Sequence, residues 1–142
     1  TCVKPSGTAS QLVGASSGIH NQHSAYYIRR VRNDQKDPVT RFLVANGFPH
    51  EDCVFKPNDI MIFSFPMKAP EGAVTRDDET AIQSLEKWLM YKKHYCEHNP
   101  SVTVSVRDAE WPAVGAWVWE NFDEIVGVSF LPQDDHVYQQ VI

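Results

Sequence analysis

Cysteine is scarce: Cys2, Cys53 and Cys96 are the only three in 142 residues. They are widely spaced and odd in number, which excludes a disulfide framework and leaves free thiols as the expectation. Long apolar runs are also lacking. None approaches the roughly 20 residues of a membrane span, and no signal peptide opens the sequence, so a soluble, cytoplasmic protein with no membrane partner is expected. Basic charge is in deficit, 13 Lys and Arg against 18 Asp and Glu, for a net charge of −5. That argues against nonspecific nucleic-acid binding as the main activity. Low-complexity tracts and internal repeats are absent, as are the G-x-S-x-G, P-loop and dinucleotide fingerprints. No acid or nucleophile has a visible partner for catalysis, so no catalytic residue is named.

What is present is ordinary globular composition, 42% hydrophobic and 22% charged. A chain of this length is one domain's worth, residues 1–142, able to bury roughly two thirds of its unfolded surface. Residues 2–4 read as the tail of a strand and 8–15 as a short helix with Leu12 and Val13 on its apolar face. "YYIRRVR" (26–32) has the β-rich look of a strand. Asp37 and Pro38 supply an N-cap and a first helical residue, and Gly47 sits where a left-handed residue ends the helix. Two strands are expected at 53–56 and 59–65, the second covered on both faces. A long helix follows, with Thr75 and Asp78 resembling a capping box and Lys92, Lys93 and His94 in the last turn. Its stripe is Ile82, Leu85 and Leu89, with Trp88 beside them. A strand at 101–107 places its valines on one face. The helix at 109–123 is apolar nearly all round, which predicts burial on several sides. A strand at 126–131 stops at Pro132. The alternation of strand and helix points to an α/β architecture.

The most suggestive segment is Pro5-Ser6-Gly7-Thr8-Ala9-Ser10. Pro5 restricts φ, Gly7 permits a sharp bend, and the hydroxyls of Ser6, Thr8 and Ser10 can donate hydrogen bonds. A helix starting near Thr8 would point unpaired N–H groups at the loop, where a phosphate is favoured. The same residues equally make an ordinary strand-to-helix turn with a Ser/Thr cap. "HYCEH" offers His94, Cys96 and His98, which could approach one metal only from a strand; His20 and His23 could complete such a site, but at a helix end the group reads as a cationic terminus, and no metal is expected. Arg29, Arg30 and Arg32 form a basic cluster that serves either phosphates or a solvated edge strand. Asp134, Asp135 and His136 read as a surface loop.

Three ordered segments, "TCVKPSGTASQLVGASSGIH…YYIRRVR", "KKHYCEHNPSVTVSVRDAEW" and "VGAWVWENFDEIVGVSFLPQDDHVYQQ", resemble adenosylcobalamin-dependent (class II) ribonucleotide reductases of the triphosphate-reducing branch. The similarity covers nearly the whole chain. It implies a piece of a ten-stranded α/β barrel of two parallel half-barrels, from its C-terminal part and truncated at both ends. By the same resemblance Pro5, Ser6, Gly7, Thr8, Ala9 and Ser10 hold the phosphates of a nucleoside triphosphate substrate. The family's radical and redox cysteines have no counterpart in Cys2, Cys53 or Cys96. The resemblance therefore implies a chain inactive alone, completed by the N-terminal remainder of the reductase and its adenosylcobalamin. The rival reading is a non-catalytic nucleotide-binding or assembly module that kept the barrel half. Either way, uncovered sheet edges and helix faces predict self-association.

Overall fold

A computed structural model of the chain describes residues 1–133; the 134–136 loop and the "HVYQQVI" terminus lie outside the described residues. In chain order the elements are α1 (Ala9–Leu12), β1 (Tyr26–Asp34), α2 (Pro38–Ala45), β2 (His50–Asp52), β3 (Ile60–Lys68), α3 (Ala81–His94), β4 (Thr103–Val106), α4 (Trp111–Glu120) and β5 (Ser129–Pro132). By contact the chain divides into two compact units, one of Thr1–Ala25 with residues 69–133 and one of Tyr26–Lys68.

The second unit is an antiparallel sheet in the order β1-β3-β2. β1 pairs with β3 from Tyr26↔Lys68 to Asp34↔Ile60, and β2 pairs from His50↔Phe63 to Asp52↔Met61. A parallel half-barrel would not supply such a sheet. The strand expected at 53–56 is a turn instead, with Lys56 N–H bonded to Cys53 O and Cys53 N–H to Ile60 O. The pairing falls just before it, at β2. β3 runs on through Pro66, which the sequence did not suggest. Ser64 N–H reaches Pro49 O on the β2 side, so residue 66 points its missing N–H the same way, where β2 no longer runs. Ile62 and Phe63, on opposite faces of β3, are both buried, as expected of a strand covered on two sides. α2 forms for local reasons. The Asp37 carboxylate accepts from Val39 N–H at 2.7 Å, and Pro38 occupies the first turn. Gly47 closes the helix at φ +71°, with Gly47 N–H to Val44 O and Phe48 N–H to Leu43 O, both 3.0 Å.

In the first unit β4 and β5 pair in parallel, from Thr103↔Ser129 to Val106↔Pro132, and α3 and α4 pack on the valine face. Val102, Val104 and Val106 are buried with Leu85, Trp88, Val114 and Trp117; Trp88 Nε1 donates to Pro100 O at 2.9 Å. This parallel pair with its helices is the α/β part of the molecule. α3 begins later than expected. Thr80 and Gln83 form the capping box, whereas Thr75 and Asp78 close a preceding turn, with Asp78 Oδ2 accepting from Thr75 N–H at 2.8 Å and Thr75 Oγ1 at 2.7 Å. Both pairs have the same spacing, so the pattern alone could not choose. α4 is not buried on several sides. Only Val114 and Trp117 of it are buried, and Trp119 is 81% exposed, because no described residue packs on that face. Residues 2–4 make no strand, although Ser101 N–H bonds to Val3 O at 3.1 Å.

Candidate functional site

The 5–10 loop is held from within. Ser6 Oγ accepts from Ser10 N–H at 3.1 Å, and Ser6 O accepts from Ser17 Oγ at 2.9 Å. Ser6, not Thr8, thus caps α1; the Thr8 side chain makes no capping bond. α1 is four residues long and ends before Gly14 at φ +64°. So short a helix contributes little dipole, and what the loop offers an anion comes from individual donors. Those donors are open. Gly7, Thr8 and Ala9 are exposed, and their N–H groups make no hydrogen bond among the described residues. Space beside Gly7 is empty to 4 Å, so its Cα can be approached closely. Ser10 is buried and its Oγ has no partner. Pro5 is exposed at the entrance. Lys4 does not reach the loop; its ammonium donates to Asn99 O at 2.8 Å and Ser101 Oγ at 3.0 Å.

The segment leaving the loop is pinned twice. His20 Nδ1 is 2.9 Å from Ser17 O and its Nε2 accepts from Thr103 N–H at 3.2 Å. With Nε2 accepting, Nδ1 is the ring nitrogen left to donate, to Ser17 O. Asn21 then joins an ion pair: Lys87 Nζ is 2.8 Å from Glu79 Oε2 and 2.7 Å from Asn21 Oδ1, while Asn21 Nδ2 and Ser84 Oγ donate to Glu79 Oε2 at 2.7 and 2.9 Å. Burial works to raise the Glu79 carboxyl, but the bonds from Lys87, Asn21 and Ser84 outweigh it and hold the group below its usual value.

Between this segment, α3 and the outward side of β4 lies an open cleft of about 210 Å³. Its polar lining includes His23, Arg76, Thr103 and Ser105. Residues 22 and 75 form an isolated parallel bridge, with Gln22 N–H to Val74 O at 3.0 Å and Arg76 N–H to Gln22 O at 2.9 Å, which sets His23 near Arg76. Partial burial and then the Arg76 charge push the His23 imidazole below its ordinary value, while Asp77 acts the other way. Sequence reasoning weighed His20 and His23 only as metal ligands. The cleft's residues span more than eighty positions, and no local pattern joins them.

The remaining motifs do not converge. His94 ends α3, Cys96 is buried beyond it and His98 is exposed. Among the described residues no cluster of three His, Cys, Asp or Glu is placed to hold a metal. Cys2 is exposed, and Cys53 and Cys96 are buried free thiols. Arg30 is paired with Glu51 at 3.0 Å on the antiparallel sheet. No described helix is long and apolar enough to cross a membrane.

No family model matches the chain. Curated relatives do. The adenosylcobalamin-dependent ribonucleoside-triphosphate reductase of Euglena gracilis is 31% identical over 135 residues, 94% of this chain and 18% of the relative. The enzyme of the same name from Lactobacillus delbrueckii subsp. bulgaricus is 30% identical over 93% of this chain and 18% of its own length. A crystal structure of a B12-dependent (class II) ribonucleotide reductase superposes with a TM-score of 0.77 at 27% identity, over 97% of this chain and 20% of that one. The chain therefore spans about a fifth of the length of the proteins it matches. Over most of its length it is a homologue of one segment of the adenosylcobalamin-dependent ribonucleoside-triphosphate reductases.

Proposed function

We propose that the chain is the part of a class II ribonucleoside-triphosphate reductase that supplies the substrate-phosphate loop, and that β4 and β5 are strands of its ten-stranded barrel. The observation that carries this reading is the superposition over 97% of the chain, which leaves out too few residues to omit the loop. The loop's open donors suit the role. The N–H groups of Gly7, Thr8 and Ala9, with the Thr8 hydroxyl, can surround phosphate oxygens, while Pro5, Ser6 and the buried Ser10, whose N–H donates to Ser6 Oγ, hold the turn. Their work is positioning and charge complementarity; no bond is broken there.

The cleft beside β4 is not itself a cobalamin seat. The cleft of about 210 Å³ is smaller than the roughly 300–1,000 Å³ that a drug-sized ligand needs, and a corrin is larger still. Adenosylcobalamin supplies radical initiation in the complete enzyme, and most of its site lies outside this chain. The thiols fit no redox pair, since Cys2 is exposed while Cys53 and Cys96 are buried. The chain alone is inactive. Adenosylcobalamin-dependent deoxyribonucleotide formation is the test: none from the chain by itself, and turnover once the N-terminal remainder is added. Turnover by the isolated chain would overturn the composite site. Without that remainder the exposed Trp119 of α4 (81%) and Phe122 just beyond the helix (68%) draw two copies together. A monomer by light scattering at micromolar concentration would refute the pairing.

A further inference from the structure

The cleft carries a site of its own, separate from the 5–10 loop. Its ionised lining is Arg76, Lys87 and Glu79. Lys87 and Glu79 neutralise each other at 2.8 Å and share their remaining bonds with Asn21 and Ser84. Arg76 has one counter-charge, Asp77, at the edge of ion-pair distance. Its Nε is buried without a hydrogen-bond partner among the described residues. The nearest acid, Asp77, is 4.0 Å away, too far for a hydrogen bond, and its Oδ1 accepts from Gln133 Nε2 at 2.7 Å instead. A buried Nε–H with nothing to bind costs stability, while the rest of the Arg76 side chain, 35% exposed, is open to the cleft.

Three further donors line the same cleft. The His23 ring and the hydroxyls of Thr103 and Ser105 make no hydrogen bond among the described residues. Acceptors are scarce in comparison, because the one lining carboxylate is already saturated. The cleft, about 210 Å³ and open to solvent, has room for an ion and its waters. Unpartnered hydroxyls, a guanidinium with no hydrogen-bonded acid among the described residues and a small volume favour an anion.

We propose that this cleft binds a small oxyanion, phosphate or carboxylate, with Arg76 Nε–H donating the principal bond and Thr103, Ser105 and the His23 ring completing the shell. An oxyanion facing His23 favours the imidazolium, so the ring gains a proton more readily when the site is filled. The ion is either free or one phosphate group of a nucleotide.

The test titrates isotope-labelled full chain with inorganic phosphate, acetate and a nucleoside triphosphate in turn, following the Arg76 Nε–H and His23 ring signals by NMR. Inorganic phosphate is expected to move both signals, and Arg76→Gln to weaken binding roughly tenfold or more, as loss of a charged hydrogen bond does. Thr103→Val, which keeps the shape of the strand residue, is expected to weaken it about threefold. Response to the triphosphate alone assigns the site to a nucleotide phosphate. The phosphate-loop reading is scored separately, on Gly7, Thr8 and Ser10: silence there with movement at Arg76 and His23 removes the loop and keeps the cleft. If no anion moves the Arg76 and His23 signals, or if both variants bind as tightly as the unaltered chain, the cleft is not an oxyanion site.

Discussion

The two units solve the burial problem differently. In the unit of Thr1–Ala25 with residues 69–133, a two-stranded parallel pair is covered by α3 and α4, and the buried set includes Trp88, Leu85 and three valines. In the unit of Tyr26–Lys68, a three-stranded antiparallel sheet carries α2, which buries only Thr40. Parallel strands need a helical crossover and gain a layer of apolar contact from it. An antiparallel sheet closes through short connections and can leave one face wet. The larger core should therefore give its unit the slower amide exchange, a difference of local stability rather than of fold.

Large-to-small substitutions would sharpen that contrast most. Trp88→Ala removes a fully buried ring and orphans Pro100 O, with an expected loss of about 4 kcal/mol; Phe63→Ala in the smaller core should lose about 3 kcal/mol. Denaturant unfolding gives the losses, and amide exchange shows whether each stays within its own unit. Equal exchange of both units in the unaltered chain would end the comparison.

Helix caps are the next lever. Thr80→Ala breaks the Gln83 N–H contact and Asp37→Ala breaks the Val39 N–H contact, each expected to lose about 1 kcal/mol. Asp37→Ala should matter more in relative terms, since α2 has so little buried surface to hold it. A Thr75→Ala change should leave α3 helicity unaltered, because that side chain closes a turn outside the helix.

The smallest effect is acid sensitivity in the parallel unit. The folded Glu79 carboxyl lies below its ordinary value of 4.5, so the unfolded chain binds its proton first as pH falls. The Glu79 contribution is whole above pH 4.5 and is lost as pH falls through the lower folded value. Glu79→Gln should flatten this part of the stability profile and leave the neighbouring unit's exchange untouched. An unchanged acid profile would mean that the ion pair contributes nothing.

Locally encoded features were legible in the residues. Asp37, Pro38 and Gly47 bracket α2 because each acts within one turn of its own backbone. The alternation of Val102, Val104 and Val106 forecast one buried strand face, since side chains on a strand repeat every two residues. The bend of the 5–10 loop follows from Pro5 and Gly7, and the expected Ser/Thr cap is Ser6. The start of α3 could not be read, because Thr75 with Asp78 and Thr80 with Gln83 share one spacing, and only the packing of Ala81 and Leu85 chooses between them.

The sequence by itself determined the short-range elements, the acidic balance and the ordered segments that tie the chain to its relatives. Tertiary structure alone decided the antiparallel pairing of β1, β2 and β3, the bare face of α4, and the meeting of His23, Arg76, Thr103 and Ser105 in one cleft. The physical reason is range. Caps, turns and strand alternation act over a few residues, whereas pairing partners and cavity walls depend on contacts between residues tens of positions apart, which no local pattern encodes.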